Sequence, residues 1–513
     1  MTRVAVIGGG PGGLLAASLI AERRRDIEVE LIERNGPDES FGFGVVFSSA
    51  KLARLAAADE RLGAELSDNS RQWDQIELRL NQERIRCTGL GFSAIARRRL
   101  LDLLRKRAEQ AGVRPRFRTE ADPAALERSH DLVIAADGVN SRVRELHAES
   151  FRPTIDAATA RYIWFGADRP FESMTFLFER TEAGWFAVHA YPFDQHTSTF
   201  VVECDERTWR RAGLDAAGAL PPGANDEHSR RAMQEVFAGH LDGARLLANN
   251  SRWAAFRTVR TARWCHDRTV LLGDAAHTAH FSVGSGTTMA LDDALTLARV
   301  VSEAPEGGMA DALRSYEDTR RPQVASVQDA ATPSLSWWEH FGQYARLAPR
   351  QFATHFLTRS GRVSFHRLAQ GDPAFGADTL RWFGAPDAEA VLRTPGPASF
   401  PGRLVTREDI RRRCPAARWL TAPADPSEVT RVVSELSAEV SAAGRPPLVV
   451  IDGRGHGQAP RTAAVLLAEL VRLELGIAVA LLLDRLDTEW LTTYILSGRA
   501  DLLVLPDPGG TTG

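Results

Sequence analysis

A short stretch near the start of the chain, Val4-Ala-Val-Ile-Gly-Gly-Gly-Pro-Gly-Gly13, has the residue types and spacing to hold a pyrophosphate. In the pattern Gly8-x-Gly10-Pro11-x-Gly13, Gly8 permits a tight turn and Gly10 lets the backbone approach the phosphates. Gly13 lets a helix pack closely on a strand. The phosphates then meet unpaired amides at the positive end of that helix. Glu33 follows twenty residues after Gly13, where a carboxylate can accept both hydroxyls of an adenosine ribose. Two further segments place acids beside glycine turns: Asp137-Gly138-x-x-Ser141-x-x-Arg144 and Gly273-Asp274-Ala-Ala-His277.

Particular elements must hold these groups. The apolar run Val4 to Ile7 predicts a buried parallel strand. A helix is expected from Leu14 to about Arg25 and a second strand from Glu28 to Ile32. Asp131 to Ala136 and Thr269 to Asp274 predict two more buried strands, each delivering its acid at the end. Gln75 to Leu80 alternates polar and apolar and turns into Ile85-Arg-Cys, a half-buried hairpin. Ile95 opens an amphipathic helix to about Ala111, with Arg97 near its start. Strand-like runs recur at 162–165, 175–179, 185–191 and 197–204, which builds an antiparallel sheet. Trp185, His189 and Tyr191 share strand parity and so face one side. Trp164, Phe165, Trp185, Phe186 and Tyr191 offer an aromatic wall. In Phe41-Gly-Phe-Gly-Val-Val-Phe-Ser48, two glycines among aromatics suggest a backbone passing close to something flat. Long helices are expected over 288–302 and 309–343.

Proline and glycine cluster between Phe383 and Arg403, the expected linker. Beyond it a βαβαβ order, with strands at 447–452, 477–483 and 501–505, predicts a small parallel sheet. Gly453-Arg-Gly-His-Gly457 imitates a second nucleotide loop, but Gln458 stands where its last glycine would fall.

The chain has 513 residues, 44% hydrophobic and 25% charged, with a net charge of −3, which disfavours general nucleic-acid binding. Lysine occurs only at Lys51 and Lys106, so arginine clusters are weak evidence for phosphate sites. The four cysteines, Cys87, Cys204, Cys265 and Cys414, show no metal spacing, and no metal site is expected. The apolar stretch 464–483 carries Glu469, Arg472 and Glu474, which argues against a membrane span. The first strand starts at residue 3 or 4 and leaves no room for a signal peptide, so a cytoplasmic protein is expected.

Together the glycine turn with Glu33, the Asp137 segment and the Asp274 segment resemble the FAD-dependent aromatic hydroxylases of the para-hydroxybenzoate hydroxylase type, over about residues 1 to 345. Tyr162-Ile-Trp-Phe-Gly166, His189-Ala-Tyr191, Ser198-Thr-Phe-Val-Val-Glu-Cys204 and His280-Phe-Ser-Val-Gly-Ser-Gly-Thr-Thr-Met289 are similar to one branch. It holds salicylyl-CoA 5-hydroxylase, 2-aminobenzoyl-CoA monooxygenase/reductase and the violacein-pathway indole hydroxylase. Many members of the wider family carry proline where this chain has Phe281-Ser282. The implied fold is α/β. A Rossmann-like FAD-binding domain (1–160 and 255–345) joins an antiparallel-sheet substrate domain (70–95 and 161–254). A helical segment and linker (346–403) and a small C-terminal α/β domain (404–513) follow.

The resemblance implies that Gly8, Gly10, Pro11, Gly13, Glu33, Arg34, Arg97, Asp137, Asp274, Gly284, Gly286 and Thr287 bind FAD. Asp137 and Arg144 are also linked to the nicotinamide nucleotide. His189, Tyr191, His280 and Ser282 would serve the substrate. NADH or NADPH would reduce the flavin, O2 would form a C4a-hydroperoxyflavin, and an electron-rich ring would take its distal oxygen para to a hydroxyl or amino group. The expected substrate is a small aromatic, tethered to CoA or a carrier protein, or a free or elaborated indole. Flavin halogenation and a non-hydroxylating FAD-binding scaffold are the rival readings. No Trp-x-Trp-x-Ile-Pro stretch supports the first rival. A monomer or homodimer is expected. Ser497-Gly-Arg-Ala-Asp-Leu-Leu-Val-Leu505 resembles part of an old-yellow-enzyme barrel. The roughly 110 residues after Arg403 fall short of the about 250 that such a barrel takes. A degenerate barrel remnant without FMN and a thioredoxin-like tail are the two readings of this end.

Overall fold

A parallel sheet carries the glycine turn. In the computed structural model, described for residues 2–505 apart from 217, 219, 222, 285, 386–390, 392–401, 456–457 and 485–487, strand Thr2–Ile7 lies at its centre. Leu132–Ala135 flanks it on one side and Ile27–Ile32 on the other, both parallel. Thr269–Leu271 extends the sheet beyond Leu132–Ala135, with the short strand Cys265–His266 antiparallel at the edge, and Arg114–Arg116 ends the far side. The α/β expectation holds here. Val4, Ala5 and Val6 are fully buried, as a strand covered on both faces requires. Helix Pro11–Arg23 buries nearly its whole first three turns, Pro11 through Ala21. Each fully buried Val, Leu or Ile here contributes about 1.5–3 kcal/mol relative to exposure.

A second, antiparallel sheet of nine strands is built on Pro153–Ala167, Met174–Arg180, Trp185–Pro192 and Ser198–Cys204. Strand parity decides its two faces. Ile163, Phe165, Phe186, Val188, Ala190, Phe200 and Val202 point into one apolar core, closed by Met233, Phe237 and Leu241. His189 and Tyr191 therefore face the other way. This corrects the expected aromatic wall: Phe165 and Phe186 belong to the core behind the sheet and do not line a chamber in front of it.

The chain divides into two compact units. Residues 1–76 and 90–331 form the first; residues 77–89 and 332–513 form the second. In the second, five short parallel strands run in the order Leu404–Val405, Leu502–Val504, Val479–Leu482, Val449–Asp452, Arg418–Thr421. Three of these strands match the expected ones; Leu404–Val405 and Arg418–Thr421 are additional. Leu404–Val405 and Arg418–Thr421 do not pair with each other, so the sheet is open. Helices Pro349–Leu357, Phe365–Gly371 and Pro373–Phe383 lie in the same unit. Most of the expected linker, and His456 and Gly457 of the second glycine loop, lie outside the described residues. No helix among the described residues is long and apolar enough to cross a membrane, and they contain no metal-like cluster.

Candidate functional site

The glycine turn has the geometry that its spacing predicts. Gly8 sits at φ +110°, and a Cβ there would stand 2.2 Å from the Ala136 carbonyl oxygen. A Cβ on Gly13 would stand 2.1 Å from the Gly8 carbonyl oxygen. On Gly10 it would meet no protein atom within 4 Å. Gly10 is the N-cap of its helix, Pro11 takes the first position, and no side chain caps the amides. Glu33 leaves the neighbouring strand and accepts from the Gly9 amide at 2.6 Å and the Asn35 amide at 2.7 Å. A carboxylate offers about four acceptor positions, so it retains capacity for a further donor. Arg34 is exposed.

The two aspartate segments differ in what they do to the protein. Asp137 Oδ2 accepts from the Arg142 amide at 2.8 Å, while its buried Oδ1 has no partner among the described residues. Arg144 ties the segments together by donating to the Ala275 carbonyl at 2.7 Å and the Val139 carbonyl at 2.6 Å. Asp274 is exposed; its backbone carbonyl accepts from Arg144 at 3.4 Å, while its carboxylate accepts no hydrogen bond from the described residues. The surrounding protein desolvates its carboxyl and pushes it up from the ordinary value, against the pull of His277 and Arg97. Arg97 is half-buried, and its guanidinium is depressed by desolvation, opposed by Asp274.

Behind this turn lies a buried ion group that the sequence reading missed. Asp293 accepts from the Gly273 amide at 3.1 Å and from Arg320 Nε at 2.8 Å, and bonds His277 Nε2 at 2.7 Å. Burial opposes its charge, but His277 and Arg320 outweigh that and hold the carboxyl below its ordinary value. The sequence signal was an Asp on the apolar side of helix Gly286–Glu303. At the N-terminus of that helix, Gly284 adopts φ +56° and its carbonyl accepts from Lys51 Nζ at 2.5 Å. A Cβ on Gly286 would meet nothing within 4 Å, and Thr287 follows on the same first turn.

On the antiparallel sheet, His189 Nε2 stands 2.6 Å from Glu203 Oε2. His280 Nε2 stands 3.3 Å from the other oxygen, Oε1. His280 Nδ1 stands 2.8 Å from Ser282 Oγ and also takes the Ser282 amide at 3.4 Å. An Nδ1 that accepts the Ser282 amide leaves the ring proton on Nε2, facing Glu203. Glu203 is 1% exposed. Burial pushes its carboxyl up, but the two histidines reverse this and bring it down to about 2. Three of the four expected substrate residues thus join through a glutamate not singled out beforehand. Its signal was one acid inside the apolar run 198–204. The fourth, Tyr191, donates to the Gly44 carbonyl at 2.9 Å, and burial pushes its hydroxyl up to about 12. The aromatic groups gathered here are Phe281 with Tyr162 at 5.0 Å, Trp164 at 5.6 Å and His189 at 5.6 Å, and Trp73 against Tyr191. The close approach expected at residues 41–48 is made by protein: a Cβ on Gly44 would overlap Phe193 and Thr199 at 2.8 Å.

Residues 1–331 match the family described as FAD binding domain. The chain is 43% identical, over 99% of its length and all of the relative's, to salicyloyl-CoA 5-hydroxylase of a Streptomyces species. It is 38% identical to 3-hydroxy-4-methyl-anthranilyl-(aryl-carrier protein) 5-monooxygenase of Streptosporangium sibiricum, over 72% of this chain and 97% of that one. It is 31% identical to protodeoxyviolaceinate monooxygenase of Chromobacterium violaceum, over 70% and 94%. Among solved structures, 2-methyl-3-hydroxypyridine-5-carboxylic acid oxygenase superposes with a TM-score of 0.53 at 20% identity, over 72% of this chain and 98% of that one. PqsL of Pseudomonas aeruginosa gives 0.52 at 19%, over 67% and 98%. These two likenesses concern the fold. The protein is thus an FAD-binding enzyme with the fold of the flavin-dependent oxygenases. It belongs to the FAD-dependent aromatic hydroxylases, in the branch that holds the three relatives above.

The residues present suit FAD. Uncapped amides face the open side of Gly10, a ribose-height carboxylate stands at Glu33, and Asp137 Oδ1 and Asp274 have hydrogen-bonding capacity that the described residues leave unused.

Proposed function

We propose that the enzyme hydroxylates the ring of an aryl thioester para to a hydroxyl or amino group, with NADH or NADPH as electron donor and O2 as oxygen source. The end-to-end 43% identity to a salicyloyl-CoA hydroxylase supports the thioester, and the carrier-protein relative supports a tethered ring. FAD supplies, when bound, the redox chemistry that activates O2.

The chain's own residues bind, orient and move a proton. The amides at Gly10 and Gly13, with Gly8 making the turn and Pro11 fixing the helix start, hold the pyrophosphate. Glu33 takes the ribose hydroxyls with Arg34 beside it. Arg97, Asp137 and Asp274 bind the polar chain, and the amides of Gly286 and Thr287, set by the left-handed turn at Gly284, meet the ring end. On this reading the parallel sheet serves the cofactor and the antiparallel sheet the substrate. Tyr162, Trp164 and Phe281 wall the ring from water, and Tyr191 fixes the Gly44 backbone beside it.

The observation that carries the reading is the chain Ser282–His280–Glu203–His189. A substrate hydroxyl gives its proton to Ser282 Oγ as Ser282 passes its own to His280 Nδ1. The resulting imidazolium keeps its Nε2–H toward Glu203, whose charge stabilises it. A deprotonated ring oxygen pushes electrons to the para carbon, where an electrophilic oxygen is received. Purified enzyme given salicyloyl-CoA, NAD(P)H and 18O2 should yield product heavier by one 18O. NAD(P)H oxidation without an oxygenated product from salicyloyl-CoA, anthraniloyl-CoA or an indole would reject the reading.

A further inference from the structure

A cavity of about 650 Å3 opens in the first unit, bounded by residues 38–43, Ala96, Arg98, Phe193, Gly223, Asn249 and Asn250. It falls in the size range of small-molecule sites. Its walls adjoin the site already described. Phe43 precedes Gly44, whose carbonyl takes the Tyr191 hydroxyl, and the Phe43 carbonyl accepts from the Arg97 amide at 2.7 Å. Phe43 also packs where a Cβ on Gly166 would stand, 2.6 Å from its ring.

The wall is built rather than incidental. Asn249 Nδ2 donates to the Ser40 carbonyl at 2.8 Å and the Gly42 carbonyl at 3.0 Å, which fixes the rim. Asn250 follows in the left-handed region at φ 54°, and its buried Oδ1 has no partner among the described residues. Trp164 Nε1 is likewise buried without a partner, 3.8 Å from the position of a Cβ on Gly42. Asn250 thus offers an acceptor in the lining and Trp164 a donor behind the Gly42 rim, the complement of an amide, which carries one of each. The charges do not favour a phosphate here: Arg98 is paired with Asp38 at 3.2 Å, and Glu39 adds a second acid.

We infer that this cavity receives the amide-bearing pantetheine arm of the thioester, with the aryl ring beyond it at Phe281 and His280. This rests on the proposed thioester substrate and adds the place and chemistry of its handle. Coenzyme A and a phosphopantetheinylated carrier protein present the same arm. The acidic rim keeps the phosphates of either outside.

The test compares three salicyloyl thioesters, those of CoA, of a carrier protein and of methanethiol, on the FAD-loaded enzyme. The wild-type chain should show a kcat/KM at least about tenfold higher for the two armed thioesters than for the methyl one. Asn250→Gly, which keeps the left-handed backbone, and Ser40→Trp, which fills the space, should each erase most of that advantage through KM. FAD content, the KM for NAD(P)H and turnover of the methyl thioester should stay as they were. A wild-type preference for the CoA over the carrier-bound thioester, or the reverse, identifies the natural source. Armed and methyl thioesters turned over alike would overturn the inference alone. So would variants that lose FAD or raise the KM for NAD(P)H, since the cavity then belongs to the redox partners. Failure to hydroxylate any thioester would remove both this inference and the proposed substrate.

Discussion

Glu203 Oε2 lies 2.6 Å from His189 Nε2, reaching between neighbouring antiparallel strands. The register pairs Glu203 with Ala187 and His189 with Val201, so the contact is diagonal. A small residue at position 187 leaves the carboxylate room to lean toward His189 while its second oxygen meets His280.

Glu203→Gln removes the charge that stabilises protonated His280. The expected result is a fall in kcat of about tenfold or more, and a shift in the pH–rate profile, with FAD content retained. Glu203→Asp should recover part of the loss. An unchanged pH profile would show that the glutamate is structural only.

The same carboxyl makes a stability statement. Its folded value of about 2 lies below the ordinary 4.5. Its contribution is therefore present above about pH 4.5 and is lost as pH falls toward 2. Denaturant midpoints of wild type and Glu203→Gln should differ at pH 7 and converge only as pH falls to about 2.

Gly13→Ala and Gly10→Ala should fail differently. The first forces a Cβ to 2.1 Å from the Gly8 carbonyl and should unfold or strongly destabilise the parallel sheet. The second meets no protein atom, so it should leave melting of the flavin-free protein unchanged while lowering bound FAD. Equal flavin content in Gly10→Ala and wild type would sink the assigned approach of the phosphates.

Asp274→Ala removes a carboxylate that bonds nothing in the described protein. The folded structure should survive, seen in an unchanged circular dichroism spectrum, and the protein should purify with little yellow colour. Full flavin retention would refute its assignment.

Asp293→Asn should act on folding. It leaves Arg320 buried without its counter-charge, a loss of about 3–5 kcal/mol. Urea unfolding measures this, and a change under about 1 kcal/mol would mean that Arg320 finds another acceptor.

The strands and helices of the first unit were legible because buried parallel strands are written as continuous apolar runs ended by glycine or aspartate. Val4 to Ile7 and Thr269 to Leu271 are both of this kind. The acid-bearing turns were legible because their spacing is local. Glu203 was not, since its partners lie 14 and 77 residues away and only the strand register unites them. Phe165 and Phe186 lie behind the sheet because strand parity, not aromatic content, sets the face each residue takes. Leu404–Val405 went unseen because a two-residue strand has no period to read.

In the second unit, Arg499 donates to Glu469 and to Thr358 Oγ1 at 2.7 Å, and Tyr344 donates to Glu469 at 3.0 Å. All four are buried, so the Arg499–Glu469 pair is completed by hydroxyls made more than a hundred residues earlier in the chain. During synthesis, the helical stretch around Tyr344 and Thr358 leaves the ribosome well before its hydrogen-bond partners Glu469 and Arg499 exist. That unit is therefore expected to settle only once Arg499 has emerged. A stop codon late in the reading frame would then yield a product cleared by proteases rather than a shorter enzyme.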